Sequence, residues 1–334
     1  LKDSLDSSRA ALQDRILGNP ITDFVALTLD VFRYQAVHNP VYASWIKLLG
    51  LQVSDISTLD QIPFMPVELF KTYTVQTGTW TPEAIFSSSG TTGQLTGRHC
   101  LRSTAWYKAI AKQIFAEFYG PVQDYCILAL LPAYLERTGS SLVFMADDFI
   151  HESNAPLSGF YLYDMEALAK VLQTCQAQKK PTLLLGVSFA LLDLAEAHPM
   201  ELSDIIVMET GGMKGRRKEL TRAQLHETLM KAFSLPAVHS EYGMTELLSQ
   251  AYAKANGMFY PGYTMRVIIK DTTDPLSSRQ TGQNGLINII DLANLDTLSF
   301  LATQDIGRLH PDGAFEVLGR LDQSEIRGCN LMVE

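Results

Sequence analysis

Apolar positions in the first eighty residues recur at helical spacing. Leu1, Leu5, Leu12 and Ile16 fall on one face of one helix, and Phe24, Leu27, Val31 and Tyr34 on one face of another. A third helix is predicted from Tyr42 to Leu49, with Gly50 placed to end it. In Gln61-Ile62-Pro63-Phe64-Met65-Pro66-Val67 each proline holds the residue before it extended, so the helical run stops there. From residue 83 to about 260 the pattern changes to short apolar runs alternating with helical periodicity. Ala84–Ser87 reads as a strand. Ser103 is placed to cap a helix carrying Trp106, Ile110, Ile114 and Phe118 on one face and closed by Gly120. Tyr125–Leu131 is continuously apolar, as a strand covered on both faces must be. A helix from Asp164 to Gln178, a strand at Thr182–Leu185 and a helix from Lys218 to Phe233 follow, with short strands at Asp204–Glu209 and Ala237–His239. Beyond Pro261 the runs Thr264–Lys270, Gly285–Asp291 and Ala314–Leu318 are β-rich and separated by turn formers.

This order predicts an α/β protein with a mostly parallel sheet flanked by helices. Residues 1–80 form a helical arm, 81–260 the α/β core, 261–318 a small β subdomain and 319–334 a tail. Nothing in the arm looks catalytic. The net charge of −9 argues against a general nucleic-acid binder, which needs a basic face. Cys100, Cys126, Cys175 and Cys329 form no Cys-x-x-Cys pair and no zinc spacing, which fits reduced thiols in a cytoplasmic protein. The N-terminal residues have no signal-peptide core. The longest apolar run, Leu183 to Leu192, falls short of the ~18 residues that a membrane span requires.

Chemistry concentrates in four places. Ile85-Phe86-Ser87-Ser88-Ser89-Gly90-Thr91-Thr92-Gly93 runs from a strand into serines, glycines and threonines, a composition that leaves backbone N–H groups free to curl around an anion. It lacks the lysine of a Walker loop, and a polar turn has the same composition. His239-Ser240-Glu241-Tyr242-Gly243-Met244-Thr245-Glu246 brings an aromatic ring, a hydroxyl and a carboxylate to the end of a strand, where open α/β sheets bind ligands. Tyr242 is suited to stack on a flat base and Glu246 to hold a hard cation; the same glutamate also suits the first turn of a helix. Thr303-Gln304-Asp305 and Gly319-Arg320-Leu321-Asp322 read alone as turns.

Taken together, in this order and spacing, the four resemble the adenylate-forming superfamily of acyl-CoA synthetases, adenylation domains and luciferases, from about residue 60 to the end. The resemblance implies ATP and Mg2+ as cofactors. It places the phosphates on Ser88, Ser89, Gly90, Thr91, Thr92 and Gly93, and the nucleoside among Gly211, Gly212, Tyr242 and Gly243. Asp305 would take the ribose hydroxyls, Glu246 the metal and Thr245 the reacting phosphoryl group, with Arg320 opening a hinge motif. Within the superfamily the chain is most similar to LuxE-like acyl-protein synthetases, next to phenylacetate-CoA ligases. The residues behind this are Ile62-Pro63-Phe64-Met65-Pro66-Val67-Glu68-Leu69-Phe70-Lys71, Leu131-Pro132-Ala133-Tyr134-Leu135-Glu136-Arg137 and Arg327-Gly328-Cys329-Asn330-Leu331-Met332. Such proteins activate a fatty acid with ATP and carry the acyl group on a cysteine, here Cys329, before passing it to a partner such as a reductase. A buried small hydrophobe is the plain alternative for Cys329.

Departures are visible. Gln304 stands where the superfamily has glycine before the ribose aspartate, and Ser240 where asparagine is common. The sequence ends twelve residues after Asp322, so the mobile C-terminal domain of the superfamily is absent from it. Three other readings stay open: an acyl-CoA ligase, a non-catalytic nucleotide- or acyl-binding protein, and a serine hydrolase or acyltransferase. The last rests on Gly186-Val187-Ser188-Phe189-Ala190, which lies between strand and helix like a nucleophile elbow, with His226, His239 or His310 as the base.

Overall fold

The computed structural model describes residues 2–18, 20–88, 96–131, 139–162, 164–211 and 220–321. Its largest sheet has seven strands, in the order Tyr260–Pro261, Ala251–Ala253, His239–Tyr242, Ile206–Thr210, Thr182–Val187, Cys126–Leu130 and Gly159–Phe160. The five from Gly159–Phe160 to His239–Tyr242 are parallel, and the other two are antiparallel additions. Every residue of Cys126–Leu130 and Thr182–Val187 is buried, because helices cover both faces of a parallel sheet and no position faces water. The fold is thus the expected α/β type, with a small C-terminal β subdomain. In that subdomain Phe300–Leu309 pairs with Asn284–Asp291, Phe315–Arg320 and, in parallel, Met65–Pro66, and Met265–Lys270 pairs with Asn284–Asp291.

Local chemistry sets the element ends. The Ser103 hydroxyl accepts from the Trp106 N–H at the start of helix Thr104–Tyr119, and Gly120, with φ of +84°, ends it in a conformation that side-chain-bearing residues resist. That helix buries Trp106, Tyr107, Ile110, Ala111, Ile114 and Phe115, each large side chain contributing about 1.5–3 kcal/mol. Asp164 caps Met165–Ala177 in the same way. Among the described residues no helix is long and apolar enough to cross a membrane.

Three expectations are corrected. The strand predicted at Ala237–His239 begins where it was expected to end and runs His239–Tyr242, so Tyr242 is its last residue rather than lying beyond it. Asp305 is not in a turn but inside the ten-residue strand Phe300–Leu309. No helix follows Glu246, which lies in an irregular turn, so its helix-capping alternative falls. Helix Ser141–Glu152 and the strand Arg98–Leu101 were not anticipated.

The arm is fixed to the β subdomain by buried amides on helix Phe24–His38 and at its end. Gln35 Nε2 donates to the Asn294 and Leu295 carbonyls at 2.9 and 3.1 Å, and its Oε1 accepts from the Ser299 N–H at 3.0 Å. Asn39 Nδ2 donates to the Thr297 carbonyl at 2.8 Å. Gln35→Ala leaves the buried Leu295 carbonyl and Ser299 N–H unpaired, since the Asn294 carbonyl keeps the Thr297 N–H, and should cost roughly 2–4 kcal/mol in urea unfolding. Val37→Ala, on a residue 70% exposed, should stay within about 0.5 kcal/mol of wild type. Equal stability of the two variants would show that this junction is not held by Gln35.

Candidate active site

The antiparallel pair Ala84–Ser87 and Arg98–Leu101 is a hairpin whose connecting loop is the Ser/Gly/Thr stretch. Residues Ser89, Gly90, Thr91, Thr92 and Gly93 lie outside the described residues, as do Gly212 and Cys329. The neck of the loop is defined. Ser88 N–H donates to the Gly97 carbonyl at 3.0 Å, and Ser88 Oγ accepts from the Gly97 N–H at 2.7 Å. A Cβ at Gly97 would lie 2.6 Å from Glu246 Oε1 and 3.1 Å from Ser88 Oγ. A side chain at residue 97 would displace the Glu246 carboxylate, so two sequence-predicted features, Ser88 and Glu246, meet over Gly97.

Glu246 is buried, and burial pushes its carboxyl up to about 7 against the favourable influence of its own N–H and the charges of Arg320 and Lys71. The segment after Tyr242 has no regular structure, so its backbone groups need partners from elsewhere. His99 Nδ1 lies 2.8 Å from the Thr245 carbonyl and its Nε2 3.0 Å from Thr297 Oγ1. A carbonyl only accepts, so Nδ1 carries the proton and Nε2 accepts from the threonine hydroxyl. Asn294 Nδ2 donates to the next carbonyl, that of Glu246, at 2.8 Å. Asp291 Oδ2 accepts from the Leu248 and Ser249 N–H groups at 2.8 and 3.0 Å. None of His99, Asn294 and Asp291 was singled out by the sequence, and each acts across a long stretch of chain.

Tyr242 and Asp305 also meet. The Tyr242 hydroxyl donates to Asp305 Oδ2 at 2.7 Å, and its ring stands edge-on to Phe259 and Phe315 at 5.8 and 5.4 Å. Burial, then the Asp305 charge, raises the phenol well above its ordinary value. Asp305 faces Arg320 across the strand pair, with Arg320 Nε 4.0 Å from Oδ1. The Arg320 guanidinium therefore acts on both Asp305 and Glu246. Gly211 has φ of +68° and accepts the Ser188 hydroxyl at its carbonyl, 2.7 Å away.

Ser188 does sit at a strand-to-helix junction, but its chemistry is not that of a nucleophile. Besides Gly211 its hydroxyl faces Glu209 Oε2 at 3.4 Å, and His226 Nε2 lies beyond that carboxylate, 3.6 Å from Oε1. His239 pairs with the Tyr119 hydroxyl at 3.1 Å and His310 with Glu316 at 2.9 Å. The serine–imidazole contact of a hydrolase is thus not formed by any of the three histidines named for it. Glu209 is instead a structural carboxylate. Burial raises it, but His226, Arg222 and Ser240 outweigh burial and leave it lowered.

Among the described residues no group of three or more His, Cys, Asp and Glu side chains is arranged to hold a metal. Mg2+ needs less, since it binds through one or two carboxylates plus substrate phosphates and keeps several waters. A buried Glu246 with no ion-pair partner among the described residues, beside Ser88 over the open Cα of Gly97, fits that requirement.

No protein-family model matches the chain, and no curated protein resembles it in sequence. Solved structures do resemble it in fold. The 2-hydroxyisobutyryl-CoA ligase solved in an open conformation with 2-HIB-AMP and CoA superposes with a TM-score of 0.64 at 14% identity, over 88% of this chain and 73% of that one. ATP-bound MatB from Rhodopseudomonas palustris gives 0.54 at 16% identity, over 71% of this chain. The chain spans 48% of the length of that protein. A long-chain-fatty-acid-CoA ligase from Archaeoglobus fulgidus gives 0.52 at 16% identity over 74% of this chain. These solved structures share the fold of the chain.

Burial lowers the His99 imidazole from 6.5 to about 4, against the pull of the Thr245 carbonyl. The folded protein therefore keeps it neutral while the unfolded chain protonates. Its contribution to stability is full above pH 6.5, declines as the pH falls, and is lost below about 4. That contribution should be on the order of 3 kcal/mol. Urea unfolding between pH 7 and 4 should show a shallower pH dependence in His99→Asn than in wild type. His239, also lowered to about 4, keeps part of the slope in both proteins. Identical slopes would contradict a buried neutral His99.

Proposed function

We propose that the chain activates a carboxylic acid, in the first instance a fatty acid, with ATP to give an acyl-adenylate, and that it belongs with the LuxE-like adenylate-forming enzymes. The observation that carries the proposal is the convergence of Glu246 and the hairpin neck at Gly97, beside the Tyr242–Asp305 pair. A phosphate loop, a metal carboxylate and a ribose acceptor have to converge in just this way.

In this reading the N–H groups and hydroxyls of Ser88 to Gly93 hold the phosphates. Asp305 accepts from the ribose hydroxyls, and its bond from Tyr242 sets the orientation of the carboxylate before nucleotide arrives. In the same reading the base is taken by Gly211, Gly212, Tyr242 and Gly243, as the resemblance implies. When bound at Glu246, Mg2+ supplies charge neutralisation on the phosphate oxygens. The substrate carboxylate oxygen attacks the α-phosphorus in line; the bond from that phosphorus to the bridging oxygen breaks, and pyrophosphate leaves with the electron pair. Thr245 donates toward the phosphoryl oxygens as charge develops, from a backbone that His99 and Asn294 hold still. A thiolate sulfur then attacks the acyl carbon of the mixed anhydride; the bond from that carbon to the phosphate oxygen breaks, and AMP leaves with the electron pair. We assign that role to Cys329, with a partner protein as the later acceptor.

Two variants test this assignment. ATP with Mg2+ should raise the melting temperature of the wild type by mass action, and Asp305→Ala should lose most of the shift. Glu246→Gln should still bind nucleotide while acid-dependent pyrophosphate exchange into ATP falls by roughly two orders of magnitude or more. An undiminished shift in Asp305→Ala, or wild-type exchange in Glu246→Gln, would remove that residue from the site.

A further inference from the structure

The residue next to Tyr242 does something different. Successive side chains of a strand point to opposite faces, so Tyr242 turns toward Asp305 and Glu241 turns away from it. Glu241 lies directly opposite Thr210 on one neighbouring strand and Tyr252 on the other. The three side chains therefore form one row on a single sheet face, at the end of the sheet where the strand leads into the Glu246 turn.

This row is polar and poorly satisfied. Thr210 Oγ1 donates to Glu241 Oε2 at 2.5 Å. Glu241 Oε1 sits over Gly243, so that a Cβ at residue 243 would lie 2.5 Å from it. Only glycine in the Tyr-Gly-x-Thr-Glu turn leaves this oxygen its place. The Tyr252 side chain is 1% exposed and its hydroxyl has no hydrogen-bond partner among the described residues. An unpaired buried hydroxyl costs about 1–3 kcal/mol, and a buried carboxylate with one neutral donor costs more. Such a pair is explained when a third group completes it.

The surroundings say what kind of group. Helix Thr104–Tyr119 covers this face, setting Phe115, Phe118 and Tyr119 against the Tyr252 ring with centroids 6.2, 5.3 and 5.4 Å away, and its Tyr107 joins Phe86 and Phe144 in an aromatic wall with centroids 5.4 to 5.9 Å apart. Phe86 leads directly into Ser87 and Ser88, so the wall and the hairpin neck are contiguous. An apolar wall beside one anionic acceptor matches a molecule with an apolar body and one donor.

We infer that the row Thr210–Glu241–Tyr252 is a specificity element of the acid site, and that Glu241 selects carboxylic acids whose chain carries a hydrogen-bond-donating group, a hydroxyl or an ammonium. This rests on the adenylation reading and narrows its substrate class. An unsubstituted alkyl chain leaves Glu241 and Tyr252 unpaired. Sites with buried polar groups reject analogues that lack the matching group far better than apolar pockets reject an added one.

The test is pyrophosphate exchange with straight-chain alkanoates and their hydroxy- and amino-substituted counterparts of equal length. Wild type should favour one substituted series by at least roughly tenfold in kcat/KM. If the recognised donor is an ammonium, Glu241→Gln should abolish the preference; if it is a hydroxyl, Glu241→Gln should retain it and Glu241→Leu abolish it. Tyr252→Phe guards against loss of folding as an explanation. It should leave the melting temperature of the free protein unchanged or higher, because the hydroxyl has no partner to lose, while kcat/KM for the favoured acid falls by roughly tenfold. Equal use of unsubstituted acids, with ratios unmoved by Glu241→Gln, Glu241→Leu and Tyr252→Phe, would overturn the inference and leave adenylation standing. Silence with every acid, together with no thermal shift from ATP and Mg2+, would overturn both.

Discussion

The arrangement depends on an irregular segment, residues 243–250, that is held by buried side chains instead of by a sheet or helix. His99, Asn294 and Asp291 come from the hairpin and the β subdomain, and they satisfy the Thr245 and Glu246 carbonyls and the Leu248 and Ser249 N–H groups. A loop with its backbone groups in water could move; one whose groups are buried and paired cannot move without leaving several of them orphaned. The position of Glu246 is thereby tied to the hairpin that precedes it by about 150 residues in the chain and to the subdomain that follows. Gly97 is where this tie is tightest, because a single methyl group there would displace the carboxylate.

Three buried glutamates near the C-terminal edge of the sheet have three different environments. Glu209 is compensated by Arg222 and His226 and stays ionised, joining strand Ile206–Thr210 to helix Arg222–Phe233. Among the described residues neither Glu241 nor Glu246 has an ion-pair partner, and burial raises each to about 7, for Glu246 against the more distant charges of Arg320 and Lys71. A protein that leaves two carboxylates underpaired gives up stability that hydrophobic residues of similar size would have supplied. Glu209 is structural by its partners, whereas the other two are the carboxylates we propose to bind a cation, at Glu246, and a substrate donor, at Glu241.

Much of the scaffold was legible in the sequence because local chemistry set it. Ser103 and Gly120 bracket a helix, Asp164 caps another, and continuous apolar runs mark the buried strands. The Ser/Gly/Thr loop and the Tyr242–Glu246 turn were legible as motifs. Asp305 was harder, since Thr303-Gln304-Asp305 lacks the apolar alternation of a strand; Asp305 is held there by pairing with Arg320, while on the other side the register with Asn284–Asp291 shifts across residues 303–305. Ser240 and Glu241 hid the strand His239–Tyr242 in the same way. His99 and Asn294 could not be found locally at all, for each has a role only through a contact 146 or 48 residues away. Ser188 shows the reverse: a strand–Ser–helix pattern was present, but the long-range contact placed a carboxylate, not an imidazole, beside the hydroxyl.

The central claim is that a carboxylate oxygen of the substrate becomes bonded to the α-phosphorus of ATP. A carboxylic acid labelled with 18O in both oxygens, incubated with the protein, ATP, Mg2+ and hydroxylamine as acceptor, reports this directly by mass spectrometry of the products. Attack on the α-phosphorus followed by acyl transfer leaves one labelled oxygen in AMP, with unlabelled pyrophosphate. Labelled inorganic phosphate formed together with ADP would mean attack on the γ-phosphorus. That result, or hydroxamate formed with no label in AMP, would contradict the account.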